Sequence, residues 1–239
     1  MKHLVITSFI FLFSALSIIL PDQKFSRDEL IGKGDPALYG GESIGLRKEA
    51  YESFLKMKEA AAKEGIDINV VSGYRNYARQ KGIWERKYKA YTTEGLKPEE
   101  AIDKIIEWST IPGTSRHHWG TDIDIIDGSE PATGDVLVPE KFHGEGPYRK
   151  LRVWLEAHAA DYGFYIVYTN KPDRKGFKYE PWHYSYAPIS REMLKQYRKL
   201  DVKKVLTEEK LMGYQFLTDA FIQRYEKENI LDINPLLLN

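Results

Sequence analysis

Residues 4–20 carry no charge, and only Thr7, Ser8, Ser14 and Ser17 interrupt their apolar run. Lys2 precedes the run and Pro21-Asp22-Gln23 follows it, the pattern of an export signal or, if uncleaved, of an N-terminal anchor. It is short for a relaxed membrane span, which takes about 20 apolar residues. Residues 22–43 are rich in Gly, Pro and Asp and are expected to wrap the surface. A helical period then takes over across residues 43–64, where Leu46, Ala50, Phe54, Met57 and Ala61 share one stripe and Gly65 is a stop. Residues 66–71 read as a buried strand ending at Ser72-Gly73, and residues 76–91 as a second helix. A third helix starts at Pro98, a good first-turn residue, and runs to Trp108. Residues 113–119 have no regular period, and residues 121–126 alternate as a strand does. An amphipathic helix over residues 148–162 closes at Gly163, with His158 on its apolar stripe as a core residue. Strands are expected at residues 164–168 and 181–186, and helices at residues 190–200 and 207–228.

Strands mixed with helices, without a regular strand–helix–strand rhythm, predict an α+β fold. Three segments are expected: residues 1–21 as signal or anchor, 22–189 as the body, and a helical C-terminal extension over 190–239. That extension has no role readable from its residues beyond capping the core, or contacting a membrane or partner through Leu236, Leu237 and Leu238.

The 239 residues include 35 Lys+Arg, 35 Asp+Glu and no Cys. Zero net charge excludes a global basic field for nucleic acid. Without Cys there are no disulfides, thiolate metal sites or Cys nucleophiles, so any metal must be held by His and carboxylate. Gly-rich phosphate loops and nucleotide fingerprints are absent.

Candidate ligands concentrate in Ser115-Arg116-His117-His118-Trp119-Gly120-Thr121-Asp122-Ile123-Asp124. On a strand, Asp122 and Asp124 share one face while Ile123 and Ile125 take the other. His117 lies seven residues before Asp124, and Gly120 offers the bend that would bring the two together. Glu180-Pro181-Trp182-His183 supplies a further His, with a carboxylate three residues earlier. Two His and one Asp leave an open position for water, the arrangement of catalytic zinc, and Glu180 is then free to act as a general base. Each piece alone has a plainer use, because a lone His is usually a structural hydrogen-bonder and an acidic pair usually faces solvent. The joint pattern is more specific than its parts.

The stretch resembles the Ser-x-His…Asp signature of the LAS zinc peptidases, with Ser115, His117, Gly120 and Asp124 in register. Glu180-Pro181-Trp182-His183 matches that family's Glu-x-x-His, and Ser72-Gly73-Tyr74-Arg75 with Gln80 matches its upstream Ser-x-x-Arg…Gln element. The subgroup most resembled is the VanY-like D-alanyl-D-alanine carboxypeptidases, over roughly residues 44–190. The resemblance implies a small, mainly antiparallel sheet flanked by helices, with zinc on His117, Asp124 and His183 and Glu180 moving the water's proton. It also implies that Arg75 clamps a substrate carboxylate or the developing oxyanion, and that Gln80 and Ser115 hydrogen-bond the substrate's peptide groups. One position departs: the family's small Ala, two residues before the ligand Asp, is Asp122 here, a candidate partner for a ligand His. Trp182 and Tyr184 are expected mainly in the core, His118 is expected to point away from the metal, and His143 lies in a loop within reach of the site.

The expected protein is an exported monomer of the periplasm or cell envelope. It acts on peptidoglycan stem peptides and meets a membrane only through its N-terminus. An L,D-carboxypeptidase, dipeptidase or endopeptidase of the same fold, or a non-catalytic wall-binding module, would share the ligand set. Ser53-Phe54-Leu55-Lys56 fits the Ser-x-x-Lys of serine enzymes acting on such peptides, but it sits inside an amphipathic helix with no Lys-Thr-Gly downstream. A non-haem iron oxygenase would also use two His and a carboxylate, but the His-x-Asp spacing is missing.

Overall fold

The computed structural model describes residues 24–238, so the apolar run at residues 4–20 lies outside the described residues. No helix among the described residues is long and apolar enough to cross a membrane. In chain order the elements are α1 (Arg27–Leu30), α2 (Gly41–Ile44), α3 (Lys48–Ala62), β1 (Ile68–Ser72), α4 (Tyr77–Thr93) and α5 (Pro98–Ile105). A 3-10 turn (Arg116–Trp119), β2 (Asp122–Asp127), α6 (Arg149–His158), β3 (Phe164–Ile166) and β4 (His183–Tyr186) follow. The chain finishes with α7 (Ala187–Tyr197), α8 (Val202–Thr207) and α9 (Asp219–Tyr225). The four strands form one antiparallel sheet in the order β1-β2-β4-β3, so the fold is α+β.

The alternation in β2 decides what each face of the sheet does. Ile123 and Ile125 join the α3 stripe of Ala50, Phe54, Met57 and Ala61, and Leu151 and Leu155 of α6, in one buried cluster. Asp122 and Asp124 point the other way and are buried as well. A second apolar cluster gathers Trp84 of α4, Ile102 and Ile105 of α5, and Val205, Leu206, Ile222 and Tyr225 from the end of the chain.

Several boundaries differ from the sequence reading. Residues 43–64 are not one helix, because Gly45 takes a left-handed φ of 55° and separates α2 from α3. Residues 207–228 are not continuous either. Lys210 and Gly213 adopt φ values of 45° and 83°, and the chain restarts at α9 only where Thr218 caps the Phe221 N–H. Residues 22–43 do more than wrap the surface, since Leu30 and Ile31 are fully buried. His158 falls at the last turn of α6 with its side chain 44% exposed, outside the core. Its ring lies against Trp154, with centroids 5.0 Å apart, at the rim of the packed layer and not within it. Of the three terminal leucines, Leu237 is buried and Leu236 exposed.

Candidate metal centre and cleft

Three chain segments meet at the polar face of the sheet, each held there by local backbone chemistry. At the end of β1 the register slips between Val70 and Ser72, and the chain passes Ile44 so closely that a Cβ on Gly73 would lie 1.6 Å from the Ile44 carbonyl oxygen. Only glycine fits there. Its carbonyl accepts a 2.8 Å hydrogen bond from His117 Nδ1, which leaves Nε2 of that ring buried without a partner. The 3-10 turn carrying His117 ends at Gly120, whose φ of 66° redirects the chain into β2. β2 and β4 then pair Asp124 directly with His183.

His117, Asp124 and His183 therefore offer ligand atoms that all lie within 4.8 Å of one another. His117 Nε2 is 3.4 Å from Asp124 Oδ2, and His183 Nδ1 is 4.0 Å from Asp124 Oδ1. Two ligands about 2.0–2.1 Å from a tetrahedral ion lie roughly 3.4 Å apart, so the spacing suits zinc. The donor set of two imidazoles and a carboxylate is also right for it, and the orphaned Nε2 is a ligand atom without other employment. Burial would push the Asp124 carboxyl up, but His117, His183 and Arg75 together hold it down at about 2. Burial, with Arg75 nearby, lowers the pKa of His117, which favours the neutral ring that a metal needs.

Asp122 has four partners. Its Oδ1 accepts from Arg116 Nε (3.0 Å) and faces His183 Nε2 (3.1 Å), and its Oδ2 accepts from Thr121 Oγ1 (2.6 Å) and Ser185 Oγ (2.8 Å). Burial opposes its charge, but Arg116 and His183 outweigh burial and keep the carboxyl well below the usual carboxylate range. A carboxylate on Nε2 fixes that nitrogen as the N–H and directs Nδ1 toward Asp124, the arrangement by which carboxylates orient metal-binding imidazoles. Asp122→Ala is therefore expected to weaken zinc binding about 10–100-fold. It also strands the buried Arg116, at a cost of about 3–5 kcal/mol. Chelator competition and denaturant unfolding of the metal-free protein read the two effects separately.

Glu180 lies at the turn leading into β4, with Oε2 3.0 Å from His183 Nδ1. Burial raises its pKa against the pull of His183 and Arg75. A cleft of about 510 Å³ opens over this group, lined by Arg75, Ser115, Tyr168, Glu180 and Trp182 among others. The Ser115 hydroxyl and Arg75 Nε are buried without hydrogen-bond partners, and Arg75 makes no ion pair among the described residues. Gln80 sits beneath the cleft wall, where its Nε2 donates to the Thr110 carbonyl at 2.8 Å.

The other histidines are employed elsewhere. His118 Nδ1 donates to the Arg75 carbonyl and its Nε2 accepts from the Gly113 N–H, and burial holds its pKa at about 3. Both members of the His pair thus pin the backbone around Arg75, His117 through Gly73 and His118 directly. His143 faces the Tyr179 hydroxyl at 3.2 Å. Tyr184 is core, whereas Trp182 both packs on Phe142 and lines the cleft, stacked on the exposed Trp108. The sequence reading gave Tyr168, Lys87 and Trp108 no part in the metal site, and all three line the cleft. Tyr168 packs its ring edge on His183, with centroids 5.3 Å apart.

Comparisons with known proteins converge on one group. The family model described as VanY, D-alanyl-D-alanine carboxypeptidase, matches residues 43–189. The chain is 34% identical over 171 residues to a putative carboxypeptidase, YodJ, of Bacillus subtilis, covering 71% of this chain and 53% of that one. It is 29% identical over 174 residues to a D-alanyl-D-alanine carboxypeptidase of Enterococcus faecalis, covering 72% and 59%. The chain thus spans between half and three fifths of the length of these curated relatives. Among solved structures it resembles the LdcB LD-carboxypeptidase, with TM-score 0.50, 30% identity and coverage of 71% and 72%. It shares the fold of VanYB in complex with D-alanine-D-alanine, with TM-score 0.54, 24% identity and coverage of 74% and 92%.

Proposed function

Because the chain belongs to the VanY D-alanyl-D-alanine carboxypeptidase family, we propose that it is a zinc-dependent carboxypeptidase of the bacterial envelope. It removes the C-terminal D-alanine from peptidoglycan stem peptides. The observation that carries this reading is an unpaired guanidinium, that of Arg75, in the same cleft as the His117–Asp124–His183 triad and a buried Glu180. A guanidinium fork matches a carboxylate, so a free C-terminus is the natural substrate end.

His117 Nε2, Asp124 and His183 Nδ1 would hold the ion. Bound zinc supplies Lewis acidity, which activates water near neutral pH and polarises a carbonyl. His183 Nδ1 cannot both donate to Glu180 and ligate a metal, so with His183 as a ligand Glu180 Oε2 would be free to serve the cleft. Glu180, its proton affinity raised by burial, takes the proton of the attacking water and delivers it to the leaving amine. Ser115 Oγ, unpartnered in the cleft, hydrogen-bonds the substrate's peptide group. Gln80 holds the Thr110 segment of the wall.

Incubation with defined stem peptides followed by mass spectrometry tests the reading. Loss of one terminal D-alanine from a pentapeptide, abolished by chelation and restored by zinc, is the expected result. Arg75→Ala should lower kcat/KM about 10–100-fold on free-carboxylate peptides, the worth of a charged hydrogen bond. It should have little effect on peptides blocked as the amide, and equal loss on both removes the clamp role. The likeness to an LD-carboxypeptidase at 30% identity favours a second reading, in which tetrapeptides are trimmed at an L,D bond. Product masses from pentapeptide and tetrapeptide distinguish the two.

A further inference from the structure

Lys87 is a cation that the reaction above does not use. Gln80, Trp84 and Lys87 fall on one face of α4, and the first two are buried. Lys87 continues that row into the cleft, where it is half-buried. Its Nζ makes one hydrogen bond, 2.8 Å to Ser109 Oγ, and no carboxylate among the described residues comes within ion-pairing distance. Burial and the charge of Arg75 both work against it. A half-buried ammonium with unspent donors is costly unless a ligand supplies the counter-charge.

A second residue of the cleft lining supplies half of an answer. Asp135 also lines the cleft, and its carboxylate engages only the Leu137 N–H, at 3.1 Å. The two side chains line the same cleft and form no ion pair with each other. Arg75 precedes α4, whereas Lys87 lies ten residues beyond Tyr77 at its start, a rise of about 15 Å along the helix.

We propose that Lys87 and Asp135 form a second recognition point, for a zwitterionic amino-acid end group carried on a side chain of the peptide. Lys87 takes the carboxylate and Asp135 the ammonium. The inference rests on the carboxypeptidase reading, in which Arg75 already engages the main-chain terminus. In a stem peptide the matching group is the free amino-acid end of a diaminopimelate residue. A lysine in that place offers only the ammonium, and the amidated diaminopimelate lacks the negative charge.

The test is binding, measured by calorimetry on the zinc-loaded Glu180→Ala protein, so that it does not depend on turnover. The probes are three stem peptides with diaminopimelate, its side-chain carboxamide, or lysine at the third position. The free acid should bind about 10–100-fold more tightly than the carboxamide or the lysine peptide, as a charge-assisted hydrogen bond allows. Lys87→Met should erase that preference and Lys87→Arg should keep most of it. Asp135→Asn should weaken all three peptides alike. Equal binding of acid and carboxamide by the unaltered Lys87 protein overturns the proposal without recourse to any Lys87 or Asp135 variant. Preferential binding of the acid with no release of alanine by the wild type would instead overturn the catalytic reading and leave the recognition point standing. No binding of any peptide overturns both.

Discussion

Glu180→Ala should still bind zinc at one ion per chain and lose about 10²–10⁴-fold in kcat, the usual worth of a positioned proton-transfer group. His117, Asp124 and His183 supply the ligand atoms without it, so chelator competition should give nearly the wild-type affinity. On the proposed reading the loss belongs in kcat, because Glu180 would act on a proton that moves only during the reaction while Arg75 and Ser115 would still hold the substrate. Glu180→Gln keeps the shape and the hydrogen bonding and removes only the basicity. It should be impaired about as much as the alanine variant. Most of the turnover surviving in either variant would show that another group takes the water's proton.

Deleting residues 201–239 should abolish cooperative unfolding, although the family match ends at residue 189. The deleted segment contributes Val202, Val205, Leu206, Leu211, Leu217, Ile222, Tyr225, Ile233 and Leu237 to a buried cluster shared with α4 and α5. Each such burial stabilises by about 1.5–3 kcal/mol, against a net stability of about 5–15 kcal/mol for a typical domain. The segment also braces the floor of the site. The Tyr225 hydroxyl accepts the Ile111 N–H at 3.0 Å and pairs with Thr114 Oγ1 at 2.9 Å, while Tyr197 of α7, outside the deleted segment, donates to the Gly113 carbonyl at 2.9 Å. These contacts hold the loop that leads into Ser115 and His117. Tyr225→Phe is the finer probe. It leaves the buried Ile111 N–H without its acceptor and should cost about 1–3 kcal/mol with the fold intact. Circular dichroism melts of the two variants, against zinc affinity, separate loss of the core from loss of the brace. A truncated chain that melts like the full one would show that the helical end is dispensable.

The candidate metal ligands, the acid beside them and the arginine could be picked out in the chain because chemistry restricts each to one or two residue types at a narrow spacing, and the fold brings them together. The strand alternation of Ile123 and Ile125 against Asp122 and Asp124 was legible for a similar reason, since a period of two admits only two faces. Gly120 as a bend and Gly65 as a stop follow from backbone sterics that no neighbour alters. The limits of that legibility are equally physical. A stripe of apolar residues does not say where its packing partner ends, so His158 read as core and residues 207–228 as one helix. A lysine on a helix reads as solvated until the rest of the cleft lining is known, and Lys87 was passed over accordingly. The roles of Asp122, His118 and Gly73 depend on partners 61, 43 and 44 residues away, reached through the pairing of β2 with β4 and the close pass of Ile44. Residue type and spacing select which atoms can bind an ion. Which nitrogen of each ring faces it, and which charge stands behind that ring, is settled by the register of strands distant in the chain.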